Sequence, residues 1–124
     1  MANIQSILHG TVIVADIEVS KRFYCGVLEL SIDPDRPDLG YPGIWLDVGQ
    51  QQIHLMELPN PDSVDGRPVH GGRDRHIALA VADLDDLLKR LAAAGIVYST
   101  SKTGRRAMFC RDPDGNTLEF IQTP

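Results

Sequence analysis

The sequence predicts an α+β fold built from two βαβββ repeats, and three observations carry that expectation. A run of residues recurs at a fixed offset, each copy passes from a strand pattern to a helix pattern, and turn chemistry then separates further strand-length segments. The recurring runs are His9-Gly10-Thr11-Val12-Ile13-Val14-Ala15-Asp16-Ile17 and His76-Ile77-Ala78-Leu79-Ala80-Val81-Ala82-Asp83-Leu84, with 67 residues from His9 to His76 and again from Asp16 to Asp83. The first element of each copy is a β-branched or aliphatic strand, typified by Thr11–Ala15 and Ile77–Val81. Asp16 and Asp83 close these strands, and an aspartate before an amphipathic stretch is a good helix N-cap because its carboxylate accepts from unpaired backbone N–H groups. In the first helix Val19, Phe23, Val27 and Leu28 recur at helical spacing. Leu84, Leu87, Leu88 and Leu91 do so in the second, and Gly95 supplies a C-terminal cap.

Three strands follow each helix: Leu30–Ile32, Gly43–Val48 and Gln52–Leu58 in the first copy, Val97–Ser99, Arg106–Cys110 and Thr117–Gln122 in the second. Val48-Gly49-Gln50 and Asp112-Pro113-Asp114-Gly115-Asn116 carry the residues that tight turns need, so each joins the last two strands of its copy as a hairpin. Residues 33–42 are irregular. The breaker-rich stretch from Pro59 to Arg73 reads as the linker between repeats, which gives one domain over residues 1–124 with repeat one at 7–58, linker at 59–73 and repeat two at 74–122.

Bulk properties exclude several classes. Seventeen acidic against twelve basic residues leave a formal net charge of −5, which offers no electrostatic drive toward a phosphate backbone, so nucleic acid is not an expected partner. No apolar run approaches the roughly 20 residues of a membrane span, and the N-terminus lacks the basic and apolar regions of a secretory signal. Neither a membrane nor export is expected, and a cytoplasmic location follows by default. The two cysteines, Cys25 and Cys110, have no metal-ribbon or CxxC spacing and read as buried, reduced thiols.

Strand alternation sorts the side chains into two walls. Leu118 and Phe120 oppose Glu119, with Met108 and Cys110 matching them across the hairpin. Ile77, Leu79 and Val81 oppose His76, Ile53 and Leu55 flank His54, and Leu8, Val12 and Val14 oppose His9. His9, His54, His76 and Glu119 therefore all fall on the wall away from the helices. The repeat pairs His9 with His76, and His54 with Glu119 at an offset of 65 residues (54 to 119). A pseudo-twofold axis would gather imidazoles and a carboxylate, a donor set suited to a divalent ion such as Fe, Mn, Ni, Co or Zn. Hairpin parity adds Arg105, Ala107, Phe109 and Arg111 to Glu119's wall, making Arg105 and Phe109 candidate substrate contacts. Most of the basic group Arg73, Arg75, Lys102, Arg105, Arg106 and Arg111 is expected in solvent. Tyr24 and Trp45 are expected as core or rim aromatics, and His70 as solvated.

The chain resembles the vicinal oxygen chelate superfamily over nearly its whole length. The likeness rests on His9-x4-Val14-Ala15-Asp16-Ile17 with Ser20-Lys21-Arg22-Phe23-Tyr24, on Arg75-His76-Ile77-Ala78-Leu79-Ala80-Val81, and most specifically on Phe109-Cys110-Arg111-Asp112-Pro113-Asp114-Gly115-Asn116-Thr117-Leu118-Glu119-Phe120. The resemblance implies a curved, partly open mixed β-sheet barrel with helices on its outer face. It also implies metal ligation by His9, His76 and Glu119, and a homodimer, with the metal site built either within one chain or from two. His54 takes the place of a fourth ligand that is usually Glu or Gln in glyoxalase I and the epimerases.

By this likeness the metal chelates adjacent oxygens of a small substrate while Glu119 serves as ligand and proton-shuttling base. A glyoxalase-I-like lyase or isomerase acting on a small carbonyl compound or its thiol conjugate is the leading expectation. The alternatives are an Fe(II) extradiol-type dioxygenase, a fosfomycin-resistance-type thiol or water transferase, and a non-catalytic ligand-binding protein of the bleomycin-resistance type.

Overall fold

The computed structural model describes residues 2–101 and 103–124, so Lys102 lies outside the described residues. The chain divides into two compact units, Met1–Asn60 and Pro61–Pro124. The first contains β1 (His9–Val14), α1 (Ile17–Lys21) running into a π-helical stretch at Arg22–Val27, β2 (Ser31–Asp33), β3 (Gly43–Val48) and β4 (Gln51–Glu57). The second contains a short 3-10 turn at Gly71–Arg73, β5 (His76–Val81), α2 (Leu84–Ala93), β6 (Tyr98–Thr100), β7 (Ala107–Arg111) and β8 (Thr117–Gln122). Each unit thus holds one βαβββ repeat, the α+β class and duplication expected.

The sheets have the same topology, β1-β4-β3-β2 and β5-β8-β7-β6, so the first strand of each repeat sits at an edge and pairs parallel with the last. Both aspartate caps form as expected: Asp16 accepts from Glu18 N at 2.9 Å and Asp83 from Asp86 N at 3.1 Å. A second device, not visible in the sequence, repeats as well. The first helical N–H donates to a side chain on the last strand, Ile17 N to Glu57 Oε1 and Leu84 N to Gln122 Oε1, each at 3.0 Å. This satisfies a helix-terminal donor and ties each helix to its sheet.

The first helix departs from the expected stripe. Ile17, Ser20, Phe23 and Tyr24 are buried while Val19 is exposed. After Lys21 the coil widens, and Leu28 N donates to Phe23 O five residues back at 3.0 Å. That extra residue per turn rotates Val27 and Leu28 to half-buried positions, which a strict 3.6-residue period misplaces. In α2 the expected stripe holds, with Leu84, Leu87 and Leu91 buried. Gly95, at φ 73°, ends it, since Gly95 N donates to Ala92 O at 3.0 Å and Ile96 N to Leu91 O at 2.9 Å, the double closure that favours a left-handed residue.

Ile44, Leu46, Ile53 and Leu55 supply the helix-side core of the first sheet, and Met108, Cys110, Leu118 and Phe120 that of the second, all buried. The hairpin from β7 to β8 is organised by Asp112, whose carboxylate accepts from Asp114 N, Asn116 N and Asn116 Nδ2, each at 2.9 Å. The residues after Asn60 are held within the second unit: Arg75 meets Asp62 at 2.9 Å, and Arg111 Nη2 donates to Pro68 O at 2.6 Å. Among the described residues no helix is long and apolar enough to cross a membrane.

Both cysteines are free, Cys25 half-buried and Cys110 buried. Burial, helped by the Asp112 carboxylate, pushes the Cys110 thiol up from 9.0 to about 12. A raised value means that the folded chain keeps a proton the unfolded chain releases. Stability contributed by this thiol is therefore present below pH 9.0 and lost as pH rises toward about 12. Alkylation by iodoacetamide near pH 8.5, roughly the ordinary thiol range, is expected to spare Cys110 until denaturant is added. Labelling of native Cys110 as fast as that of the unfolded protein would overturn this account.

Candidate functional site

In the second unit the parallel register sets Ala78 beside Glu119 and His76 beside Thr117, so His76 and Glu119 are diagonal neighbours on one wall. His76 Nε2 stands 3.3 Å from Glu119 Oε1. The other ring nitrogen, Nδ1, lies 2.8 Å from the carbonyl oxygen of Asp74. A carbonyl only accepts, so Nδ1 carries the proton, and in the neutral ring Nε2 presents its lone pair to the carboxylate. Two electron-pair donors facing each other repel unless a proton or a cation lies between them.

That pair is supported from several sides. Glu119 is 5% exposed, and Arg105 Nη2 donates to its second oxygen, Oε2, at 2.8 Å. Phe109, cross-strand from Glu119, is buried and meets His76 edge-on at 5.4 Å between centroids and His70 at 5.1 Å. The turn at Gly71–Arg73 roofs the ring: a Cβ on Gly71 would come within 3.0 Å of Phe109 Cβ and 2.7 Å of Thr117 Cγ2. His70, expected in solvent, is instead half-buried against this ring.

Asp74, whose carbonyl orients His76, is itself clamped. Its carboxylate meets Arg67 Nη2 at 2.8 Å and Arg111 Nη1 at 2.7 Å. The Arg67 guanidinium, with Arg111 adding to it against the opposing effect of burial, holds the Asp74 carboxyl well below the usual carboxylate range. Arg111 also donates to Gly115 O at 2.9 Å and Thr117 Oγ1 at 2.6 Å, joining the segment before β5 to the β7–β8 hairpin.

The first unit carries a different arrangement. His54, on β4, lies between two rings: Trp45 stacks on it at 4.5 Å and 8°, and His9 at 3.9 Å and 13°. His54 Nε2 is 2.8 Å from Gln52 Oε1. The Gln52 amide is oriented by its nitrogen, which donates to Asp33 Oδ2 at 2.8 Å and Asp47 Oδ1 at 3.0 Å. Its oxygen therefore accepts from His54 Nε2–H and leaves Nδ1 with the lone pair. Burial, then the nearby His9 and Arg36, holds the His54 imidazole below its ordinary value, against the pull of Asp33.

The donor chemistry fits a divalent ion in the second unit. Two ligand atoms about 2.1 Å from one cation and roughly at right angles lie about 3 Å apart, close to the His76–Glu119 separation, and ligating histidines characteristically donate their other N–H to a carbonyl or carboxylate. The first unit fits less completely. Rings 3.9 Å apart and 13° from parallel hold their lone pairs in nearly parallel planes, so one ion takes only one of His9 and His54 as they stand. Within either unit, the described residues gather no group of three His, Cys, Asp or Glu side chains around a common point.

The structure thus brings His9 to His54, and His76, Arg105 and Phe109 to Glu119. Sequence reasoning missed Gln52, Asp74 and Arg67, and placed Arg111 on Glu119's wall without its tie to Asp74. Gln52 was open to discovery, since it lies two residues from His54 on the same wall. The clamp on Asp74 joins positions that no local pattern links.

A sequence profile of the Glyoxalase/Bleomycin resistance protein/Dioxygenase superfamily matches residues 6–120. The chain is 30% identical to the Escherichia coli protein YaeR over 98% of this chain and 99% of the relative. It is 28% identical to a protein of Arabidopsis thaliana named glyoxylase I 4, over 95% of this chain and 71% of that one. Among solved structures, a Bacillus anthracis protein assigned to the glyoxalase family matches over the full length of both chains, with a TM-score of 0.81 and 25% identity.

Asp74→Ala is expected to lower stability by about 3 kcal/mol, because Arg67 and Arg111 would lose the carboxylate that balances them in a largely desolvated position. Urea denaturation measures it. A loss below about 1 kcal/mol, the range of a surface pair, would mean that the clamp does not support the site.

Proposed function

The chain belongs to the glyoxalase/bleomycin resistance/dioxygenase superfamily, and from that premise we propose that it is a divalent-metal-dependent enzyme of the glyoxalase I type. Its substrate would be a small carbonyl compound or the thiol conjugate of one. The observation that carries this reading is the His76–Glu119 pair, with one imidazole nitrogen committed to Asp74 O and the other facing a buried carboxylate oxygen at 3.3 Å. A relative named glyoxylase I 4 supports the choice of reaction.

In this proposal His9, His76 and Glu119 hold the ion. His54, tied to Gln52 and stacked between Trp45 and His9, positions His9 or replaces it after a ring rotation. The bound cation would act as a Lewis acid toward adjacent substrate oxygens, stabilising negative charge that develops on them.

The remaining work falls to the chain's own groups. Isomerisation of a hemithioacetal moves one hydrogen from the carbon bearing sulfur to its neighbour and the hydroxyl proton from the first oxygen to the second, with no net oxidation, so a single carboxylate can take the carbon-bound proton and return it. Glu119 would fill that role through Oε2, which accepts from Arg105 at 2.8 Å and is freed when that side chain moves to the substrate. Phe109, roofed by Gly71 and Gly72, keeps water from the inner side of the carboxylate. Arg105, about half exposed with side-chain relative exposure of 52%, can swing from Glu119 to an anionic part of the substrate.

The test is metal analysis of the purified protein, then hemithioacetal isomerisation assayed with several thiols and metals. His9→Ala, His76→Ala and Glu119→Gln are each expected to lower metal affinity at least tenfold and activity more, while His54→Ala has the smaller effect on metal. Absence of turnover with every metal and thiol sinks the isomerase reading. Unchanged metal affinity in the His76 and Glu119 variants sinks the ligand assignment.

A further inference from the structure

Six of the seven arginines of the second unit, Arg67, Arg75, Arg90, Arg105, Arg106 and Arg111, each face an aspartate or glutamate, and the seventh, Arg73, is exposed to solvent. Arg36, in the irregular segment between β2 and β3, is different. It is half-buried, yet has no carboxylate partner among the described residues. A partly desolvated guanidinium without a counter-charge is costly to keep, and it remains a ready partner for an anion.

Its placement is built by three residues. Arg36 Nη2 donates to the carbonyl of Tyr41 at 3.0 Å, and the guanidinium carbon lies 5.1 Å from the centre of the Tyr41 ring. Gly43 makes the space, because a Cβ there would come 2.7 Å from Arg36 Nη2 and 2.6 Å from Leu55 O. A Cβ at Gly43 would point to the same side of β3 as Trp45, and the register places Gly43 beside Met56 and Trp45 beside His54. The guanidinium therefore lies on the wall that carries Trp45 and His54, one step along it, with His9 stacked on the far side of His54. The acids of that wall, Asp33 and Asp47, are engaged by Gln52.

We propose that Arg36 recognises a carboxylate on the substrate, so that the protein selects small carbonyl compounds bearing a carboxylate next to the carbonyl, or their thiol adducts, over neutral ones. This deepens the enzymatic reading and rests on it for the word substrate. The physical basis is the match between a planar guanidinium fork, its carbon 5.1 Å from the centre of the Tyr41 ring, and a planar carboxylate. The flank beside Trp45 and His54 leaves the carbonyl end of such a molecule facing the imidazoles.

Trp45 is the only tryptophan in the chain, so its fluorescence reports on this wall. Metal-free protein is titrated with pyruvate, with the neutral analogue pyruvamide and with inorganic phosphate, read by Trp45 emission and by calorimetry. Arg36→Gln and Arg36→Lys are compared with the natural chain, and melting curves verify that each is folded. Pyruvate is expected to bind saturably, about tenfold or more weakly to Arg36→Gln, the weight of a charge-assisted hydrogen bond, and at an intermediate level to Arg36→Lys.

Pyruvamide is expected to bind the natural chain and Arg36→Gln alike. Equal pyruvate affinity in Arg36→Gln, pyruvamide binding as tight as pyruvate, phosphate binding tighter than pyruvate, or no saturable binding would each overturn the proposal. Pyruvate binding without any metal uptake would instead sink the metal-dependent reading and leave Arg36 in its role.

Discussion

Parallel pairing between the first and last strands of each repeat is the constraint on which the rest depends. It sets Thr11 opposite His54 and Ala78 opposite Glu119. A slip of one residue would send Glu119 to the helix side and Leu118 to the polar wall. The buried faces prevent that slip, because Leu118 and Phe120 in one unit and Ile53 and Leu55 in the other are all but inaccessible to water. The apolar core thus fixes which polar side chains can meet, and the sheets are anchored to their helices by the matching bonds from Ile17 N to Glu57 and from Leu84 N to Gln122.

The two repeats have diverged in how they support equivalent positions. The second encloses its carboxylate: Glu119 and Phe109 are buried, the Gly71–Arg73 turn lies over them, and Asp74 is fastened by two guanidinium groups. The first leaves its wall more open, and its histidines are steadied by ring stacking and by one side-chain amide. Both solutions determine which imidazole nitrogen carries a proton, in one case through a backbone carbonyl and in the other through Gln52.

Much of this was legible in the sequence because duplication, strand alternation and turn residues are local or periodic signals. The offset between His9 and His76 identified the repeats, the aspartate caps bounded both helices, and parity alone put Arg105, Phe109 and Glu119 on one wall. What escaped was tertiary. Nothing in the run from Ile17 to Leu28 announces the π-helical widening that turns Val27 and Leu28 to half-buried positions, since that depends on how the coil settles onto its sheet. His70 read as a linker residue because its packing against Phe109 requires Gly71 and Gly72 to approach the ring, a contact between distant segments. The stacking of His9 on His54 could not be read either, because side-chain rotation is invisible to alternation.

The edge position of β1 and β5 separates the donors by rigidity. His54 and Glu119 sit on strands bonded along both flanks, whereas His9 and His76 open strands bonded along one flank only. A residue at the free margin of a sheet can shift by fractions of an ångström without breaking a ladder, while one in the interior cannot. Each repeat thus joins a compliant nitrogen to a fixed neighbour, a combination that, were a cation held as proposed, would accommodate ions of different radius and make selectivity among them depend more on supply than on fit.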